Sequence, residues 1–306
     1  MRIRATVAAV SGALALSALS APLAQADTSY SPEDLVQSVQ AAREAAQAAR
    51  SDRTGGTRAP SVVDISFSDV KVNDGKPIAV RATAKRTVPV TFDVTHGPEV
   101  DLDDPSLFFD VELYRGEYDM DDLLYGDEWP VCTGTSDTTA TCKATIDIYP
   151  EYGELTNDDA TTWKVGAYAM DYNGQDPEGD VDWENVDYTQ QEGLGTARIQ
   201  RFSKLTVNAS PEPVKKGATI TVTGKLTRAN WETNTYVGIP SGQTVSLQFR
   251  KAGSSTYTTV KNVTTTSGGA LKTYVKAGVD GYYRFKYAGI TSTAGSVAAG
   301  DYVDVK

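Results

Sequence analysis

From residue 61 onward apolar residues recur at every second position, and a period of two restricts the chain to half-buried β-strands. Val88, Val90, Phe92 and Val94 alternate with Pro89, Thr91, Asp93 and Thr95. Phe109, Val111 and Leu113 do so against Asp110, Glu112 and Tyr114, and Ala144, Ile146 and Ile148 against Thr145 and Asp147. A second set begins near Phe202. There Ala218, Ile220, Val222 and Leu226 share one face, as do Val245, Leu247 and Phe249, and then Tyr283, Phe285 and Tyr287. Tyr282, after Asp280-Gly281, is placed like a tyrosine corner. Turn signals separate the runs, among them Asn73-Asp74-Gly75, Pro211-Glu212-Pro213 and Lys215-Lys216-Gly217. The pattern predicts an all-β chain of two immunoglobulin-like β-sandwich domains, residues 61–200 and 201–306. Each is long enough to bury its own core.

What precedes the strands reads differently. Residues 1–26 predict a signal peptide: Arg2 and Arg4, then an Ala/Leu-rich apolar run, then Ala24-Gln25-Ala26 as cleavage site. Residues 27–60 predict a short helical tether, capped by Ser31 with Pro32 at its first position, and a linker ending at Pro60. No later apolar run is long enough to span a membrane, so a secreted, extracellular product is expected. In that compartment Cys132 and Cys142, flanking a turn-rich segment, predict a hairpin-closing disulfide bond.

The net charge of −11 conceals an asymmetry. Residues 61–200 hold 30 acids and 9 bases, or −21; residues 201–306 hold 5 acids and 14 bases, or +9. Opposite fields either orient the two domains or give them different ligands, cations for the first and an anionic polymer for the second. Lys204, Lys215, Lys216, Lys261, Lys272 and Lys276 are the candidate contacts for an anionic cell-wall polymer.

The sharpest candidate site is the stretch from Thr162 to Tyr188. A strand, Trp163 to Met170, runs into a Gly/Pro-punctuated loop holding Asp171, Asp176, Glu178, Asp180, Asp182, Glu184 and Asp187. Taking Val88–Thr95, Leu107–Arg115 and Trp163–Met170 as strands B, C and F puts the loop after B at the same pole. That loop carries Glu99, Asp101, Asp103 and Asp104. Hard oxygen donors at such density predict Ca2+ binding, with Asp171, Asn173, Asp176 and Asp101 or Asp103 as ligands. The spacing is not that of an EF-hand, since Asp176 occupies the glycine position. A solvated acidic surface, with Asn173-Gly174 as a simple turn, is the alternative.

Four segments resemble one family: Val111 to Gly116, Trp129 to Thr133, Ala167 to Pro177 and Arg201 to Gly217. The resemblance, over nearly the whole chain, is to exported two-domain immunoglobulin-like proteins of actinobacteria often labelled calcium-binding. It implies a calcium site without fixing the ligands.

Catalytic readings find little support. His96 is the sole histidine and no nucleophile elbow accompanies it. Zinc ligands and a phosphate loop are missing, as is any nucleic-acid recognition motif. Paired carboxylates leave a glycoside hydrolase as a remote alternative. Trp129, Trp183 and Trp231 lie in loop-like segments and permit carbohydrate stacking as another alternative. The expectation is a non-enzymatic protein.

Overall fold

The computed structural model describes residues 62–118, 122–177 and 179–306. The expected signal peptide, helical tether and linker lie outside the described residues.

The first sandwich comprises β1 (Ile65–Val72), β2 (Ile78–Val80), β3 (Arg86–His96), β4 (Leu107–Tyr114), β5 (Leu123–Leu124), β6 (Val131–Ser136), β7 (Thr139–Ile148), β8 (Thr162–Asp171), β9 (Asp187–Gln191) and β10 (Thr196–Arg201). One sheet runs β1-β3-β7-β6; the other runs β2-β10-β8-β4-β5, with β9 beside the far half of β8. Alternation buries Val88, Val90, Phe92 and Val94 against Val111, Leu113, Val165 and Ala167 in one core. Cys132 and Cys142 stand opposite each other across β6 and β7 and are bonded.

The second sandwich comprises β11 (Ser203–Leu205), β12 (Asn208–Ser210), β13 (Thr219–Asn230), β14 (Thr235–Gly238), β15 (Thr244–Lys251), β16 (Thr258–Thr264), β17 (Ala270–Lys276), β18 (Gly281–Tyr287), β19 (Ser296–Val297) and β20 (Asp301–Val303). In one sheet β13 pairs with β11, β12, β14 and β17; the other runs β16-β15-β18, with β19 and β20 along β18. Ile220, Val222, Leu226, Val245, Leu247 and Phe285 fill the space between them. The arrangement is all-β, two immunoglobulin-like sandwiches in tandem.

Sequence periodicity understates the first domain in one respect. β4 is buried on both faces. Its outer face carries Phe108, Asp110, Glu112 and Tyr114 and is covered partly by the segment after β4. Tyr118 from that segment stacks on Tyr114 and donates to Glu112 Oε2 at 2.7 Å. A Cβ on Gly166 would stand 2.6 Å from the Tyr118 ring, so β8 needs glycine there for the cover to close.

The junction is tight. Phe202 alone separates β10 from β11, and Trp231, just past β13, is 1% exposed within the first domain's core. Its Nε1 donates to Arg81 O at 3.0 Å, while Asn157 Nδ2 donates to Asn230 Oδ1 at 2.9 Å. A buried indole with its N–H satisfied in the neighbouring domain makes a plug rather than a hinge.

Candidate functional site

The loops after β3 and β8 emerge at the end of the first domain away from the junction, since Val80 and Arg201 end strands at the other end. Ser106 ties them together. Its carbonyl accepts from Tyr172 N at 2.9 Å, and its hydroxyl lies 2.8 Å from Asp104 Oδ1 and 3.2 Å from Asp171 Oδ1. Two carboxylates far apart in sequence thus meet at one hydroxyl. Asp104 Oδ1 also accepts from Ser106 N at 2.7 Å, and this bond, then the hydroxyl, holds the Asp104 carboxyl below its usual range. Among the described residues the Oδ2 atoms of Asp104 and Asp171 accept no hydrogen bond.

The loop after β8 is built by amides. Asn173 and Gly174 take φ of 52° and 77°, and Gln175 N donates to Tyr172 O at 3.1 Å, closing a tight turn. Asn173 N donates to Asp171 Oδ1 at 2.7 Å. The Asn173 side chain donates to Asn185 O at 2.9 Å, and Gln175 Nε2 donates to Asp182 O at 3.2 Å. The Asn173-Gly174 turn is therefore present within the acidic loop.

The structure unites Asp171 with the opposite loop, as sandwich geometry predicts, but through Asp104. Asp101 and Asp103 are exposed, and Asp101 Oδ1 is occupied by a turn bond from Asp103 N at 3.0 Å. Asp176 is exposed, and its carbonyl accepts from Gly179 N. Asp104 is among the loop acids read from the sequence but not among the chosen ligands, because its distinguishing mark, a serine two residues on, has no meaning without the fold.

Calcium takes six to eight oxygens. Among the described residues no three His, Cys, Asp or Glu side chains form a metal-holding group. Asp104 and Asp171 offer two carboxylates, hard oxygen donors of the kind calcium takes, which by themselves fall short of a closed cage.

The buried acids behave otherwise. Asp110 and Glu112 are 5% and 4% exposed. Burial pushes the Asp110 carboxyl well up, opposed by the bond it accepts from Val111 N at 2.7 Å, with the Glu112 charge pushing it further up. Asp147 accepts from Thr87 and pairs with Lys85 at 3.1 Å; Asp159 pairs with Arg115. These groups fasten covering segments to strands. Paired carboxylates sealed in this way do not offer a glycosidic bond the flanking acids that hydrolysis needs. His96 ends β3, half-buried, with Nδ1 2.9 Å from Gly97 O.

The second domain shows a surface that its sequence did not advertise. On the outer face of β15 and β18, Arg250 lies 4.1 Å from the Tyr282 ring and 5.2 Å from Tyr257, and Arg284 lies 3.6 Å from Tyr257. Tyr302, 39% exposed, continues the row beside Tyr282 at 5.1 Å. Tyr282 is therefore an outer-face ring and not a tyrosine corner. Among the described residues neither guanidinium pairs with a carboxylate. The candidate lysines are scattered: Lys272 and Lys276 on β17, Lys261 on β16, Lys204 over Tyr236, Lys215 and Lys216 in a loop. Trp231 is core, Trp129 packs on Phe108 and Trp183 on Tyr172, so no tryptophan forms an open stacking surface with another.

No protein-family model matches the chain, and no curated protein is similar to it. Among solved structures, the adhesin InvE of Yersinia pseudotuberculosis matches at 14% identity and TM-score 0.23 over 81% of this chain and 61% of its own. The D00-D0 domain of intimin matches at 14% and 0.24, over 76% of this chain and 98% of its own. The Escherichia coli adhesin FdeC matches at 14% and 0.25, over 77% and 66%. The chain thus spans less than two thirds of InvE and of FdeC. Likeness this loose assigns no activity or partner. Among the described residues no helix is long and apolar enough to cross a membrane.

Proposed function

We propose that the protein is an exported, extracellular binding protein whose first domain takes calcium at its free pole. The observation that supports this is the meeting of Asp104 and Asp171 at Ser106 with both Oδ2 atoms uncommitted. Asp104 and Asp171 would hold the ion, which supplies the positive charge that the pole lacks. Neutralising repelling carboxylates is what makes such binding favourable, and extracellular sites of this kind bind at about 10⁻⁴–10⁻³ M. Calorimetric titration of the full chain should give saturable calcium heat that magnesium does not reproduce. Absence of calcium heat at millimolar concentration overturns the proposal.

The row of Arg250, Arg284, Tyr257, Tyr282 and Tyr302 favours a second reading, in which the basic domain adsorbs anionic cell-wall polymer or acidic carbohydrate. Arg250 Nη1 donates to Ser254 O and Arg284 Nε to Gln248 Oε1 at 2.9 Å, and rings that flank these guanidiniums fix their orientation while their other N–H groups would meet oxyanions. Adsorption to polygalacturonate should be salt-sensitive and fall in Arg250→Gln and Arg284→Gln. Adsorption that these variants leave unchanged removes the row from consideration.

A further inference from the structure

Arg201, Arg228, Arg250 and Arg284 fall into two pairs, and the pair at the junction is the more unusual. Arg201 ends β10 and Arg228 lies in β13. Arg228 is in register with Ser203, and Ala229 N donates to Phe202 O at 2.8 Å, so the ladder continues back to Arg201. Arg201 and Arg228 are diagonal neighbours on one sheet face, about 7–8 Å apart at Cα. The segment from Ile290 to Ala294 lies against them. Arg201 N donates to Ser292 O at 3.1 Å, Ala294 N donates to Arg201 O at 3.0 Å, and Thr293 is fully buried.

Neither cation is neutralised. Arg201 is 6% exposed, and its Nε donates to Ala229 O. Arg228 Nη1 donates to Thr293 Oγ1 at 3.3 Å, while its buried Nε has no hydrogen-bond partner among the described residues. Among those residues no carboxylate pairs with either guanidinium. Glu232 acts on Arg201 only from beyond ion-pair distance, and Tyr287 is the other titratable group that Arg228 feels. Burial, then the neighbouring Arg228 charge, pulls the Arg201 guanidinium down to about 10. A buried and a half-buried guanidinium of like charge without a counter-charge are unfavourable, and an anion between them would relieve that penalty.

We propose that the junction binds a small tetrahedral oxyanion, sulfate or phosphate, between the Arg201 and Arg228 guanidiniums beside Thr293. The chemistry is specific. Each guanidinium presents a planar fork of N–H donors suited to oxyanion oxygens, and Thr293 Oγ1, which accepts from Arg228, keeps its own proton to donate. Because Arg201 belongs to the last strand of the first domain and Arg228 to the second, the bound anion fastens one domain to the other.

Thermal melting of the full chain at constant ionic strength tests this. In chloride buffer, millimolar sulfate or phosphate should raise the wild-type midpoint by about 2–4 °C and saturate, as one-site binding requires. General salting-in or salting-out is not saturable at these concentrations and is shared by all variants. Arg228→Gln should lose the saturable rise and should melt higher than wild type in chloride alone, because one uncompensated charge is gone. Should that variant fold poorly, Thr293→Val keeps both arginines and should weaken the oxyanion half-saturation several-fold. A wild-type midpoint indifferent to sulfate and phosphate overturns the proposal. So does a saturable rise that Arg228→Gln retains.

Discussion

The two domains share a sandwich plan but handle charge in opposite ways. The first gathers its excess acids in loops at its free pole and also buries four, Asp110, Glu112, Asp147 and Asp159, under covering segments. The second spreads its excess bases over sheet faces and loops, and Arg201, on the last strand of the first domain, is buried where the two meet. Loops of like charge can relax by moving apart or by taking an ion, whereas bases on a sheet are held at fixed spacing and cannot relax in that way. The comparison also explains why the opposite fields do not simply cancel. The Trp231 plug fixes the junction, and the acidic pole lies at the other end of the first domain.

Removing that plug is expected to have the largest effect. Trp231→Ala should cost about 3–5 kcal/mol, as for other buried tryptophans, and should split melting into separate transitions for the two domains. Cooperative melting that survives the change would show the domains coupled by other contacts. Next, replacing Cys132 and Cys142 by serine should lower the stability of the first domain by about 2–3 kcal/mol without moving the second domain's transition. A smaller, pH-dependent difference comes from Asp110. Its folded carboxyl sits well above 3.8, so its contribution is present at acid pH and is lost as pH rises through the raised value. Relative to wild type, Asp110→Asn should therefore gain stability with rising pH, and the second domain should show no such trend. Parallel midpoint curves for the two proteins would place the proton elsewhere.

How much of this could be read from the sequence depends on which residues carried it. β3, β4 and β8 were legible because one face of each is apolar at every second residue. The double burial of β4 was not, because Asp110 and Glu112 look like solvent-facing residues until Tyr118 and the backbone satisfy them. β6, from Val131 to Ser136, is a polar edge strand without a pattern, and it is visible only through Cys132. Trp231, between Asn230 and Glu232, reads as a loop aromatic, and its burial depends on the neighbouring domain. At the pole, the convergence of two loops followed from strand order, but the choice of Asp104 over Asp101 and Asp103 rests on Ser106. Arg284 and Tyr282 are far from Arg250 and Tyr257 in sequence, and the register of β15 with β18, which sets Arg250 opposite Tyr282, assembles them.

The pole itself is tested most directly by melting wild type, Asp104→Asn, Asp171→Asn and Asp103→Asn with calcium, with magnesium and with chelator. At a hundredfold excess over Kd, calcium should stabilise the wild-type first domain by about 2.7 kcal/mol. Asp104→Asn and Asp171→Asn should each lose most of that rise, and Asp104→Asn should be no more stable than wild type in chelator, because the Ser106 bonds already favour the Asp104 carboxylate. Asp103→Asn should behave as wild type. A wild-type midpoint that calcium, magnesium and chelator leave in the same place, or a calcium shift that Asp104→Asn retains, would contradict a cation site at Asp104 and Asp171.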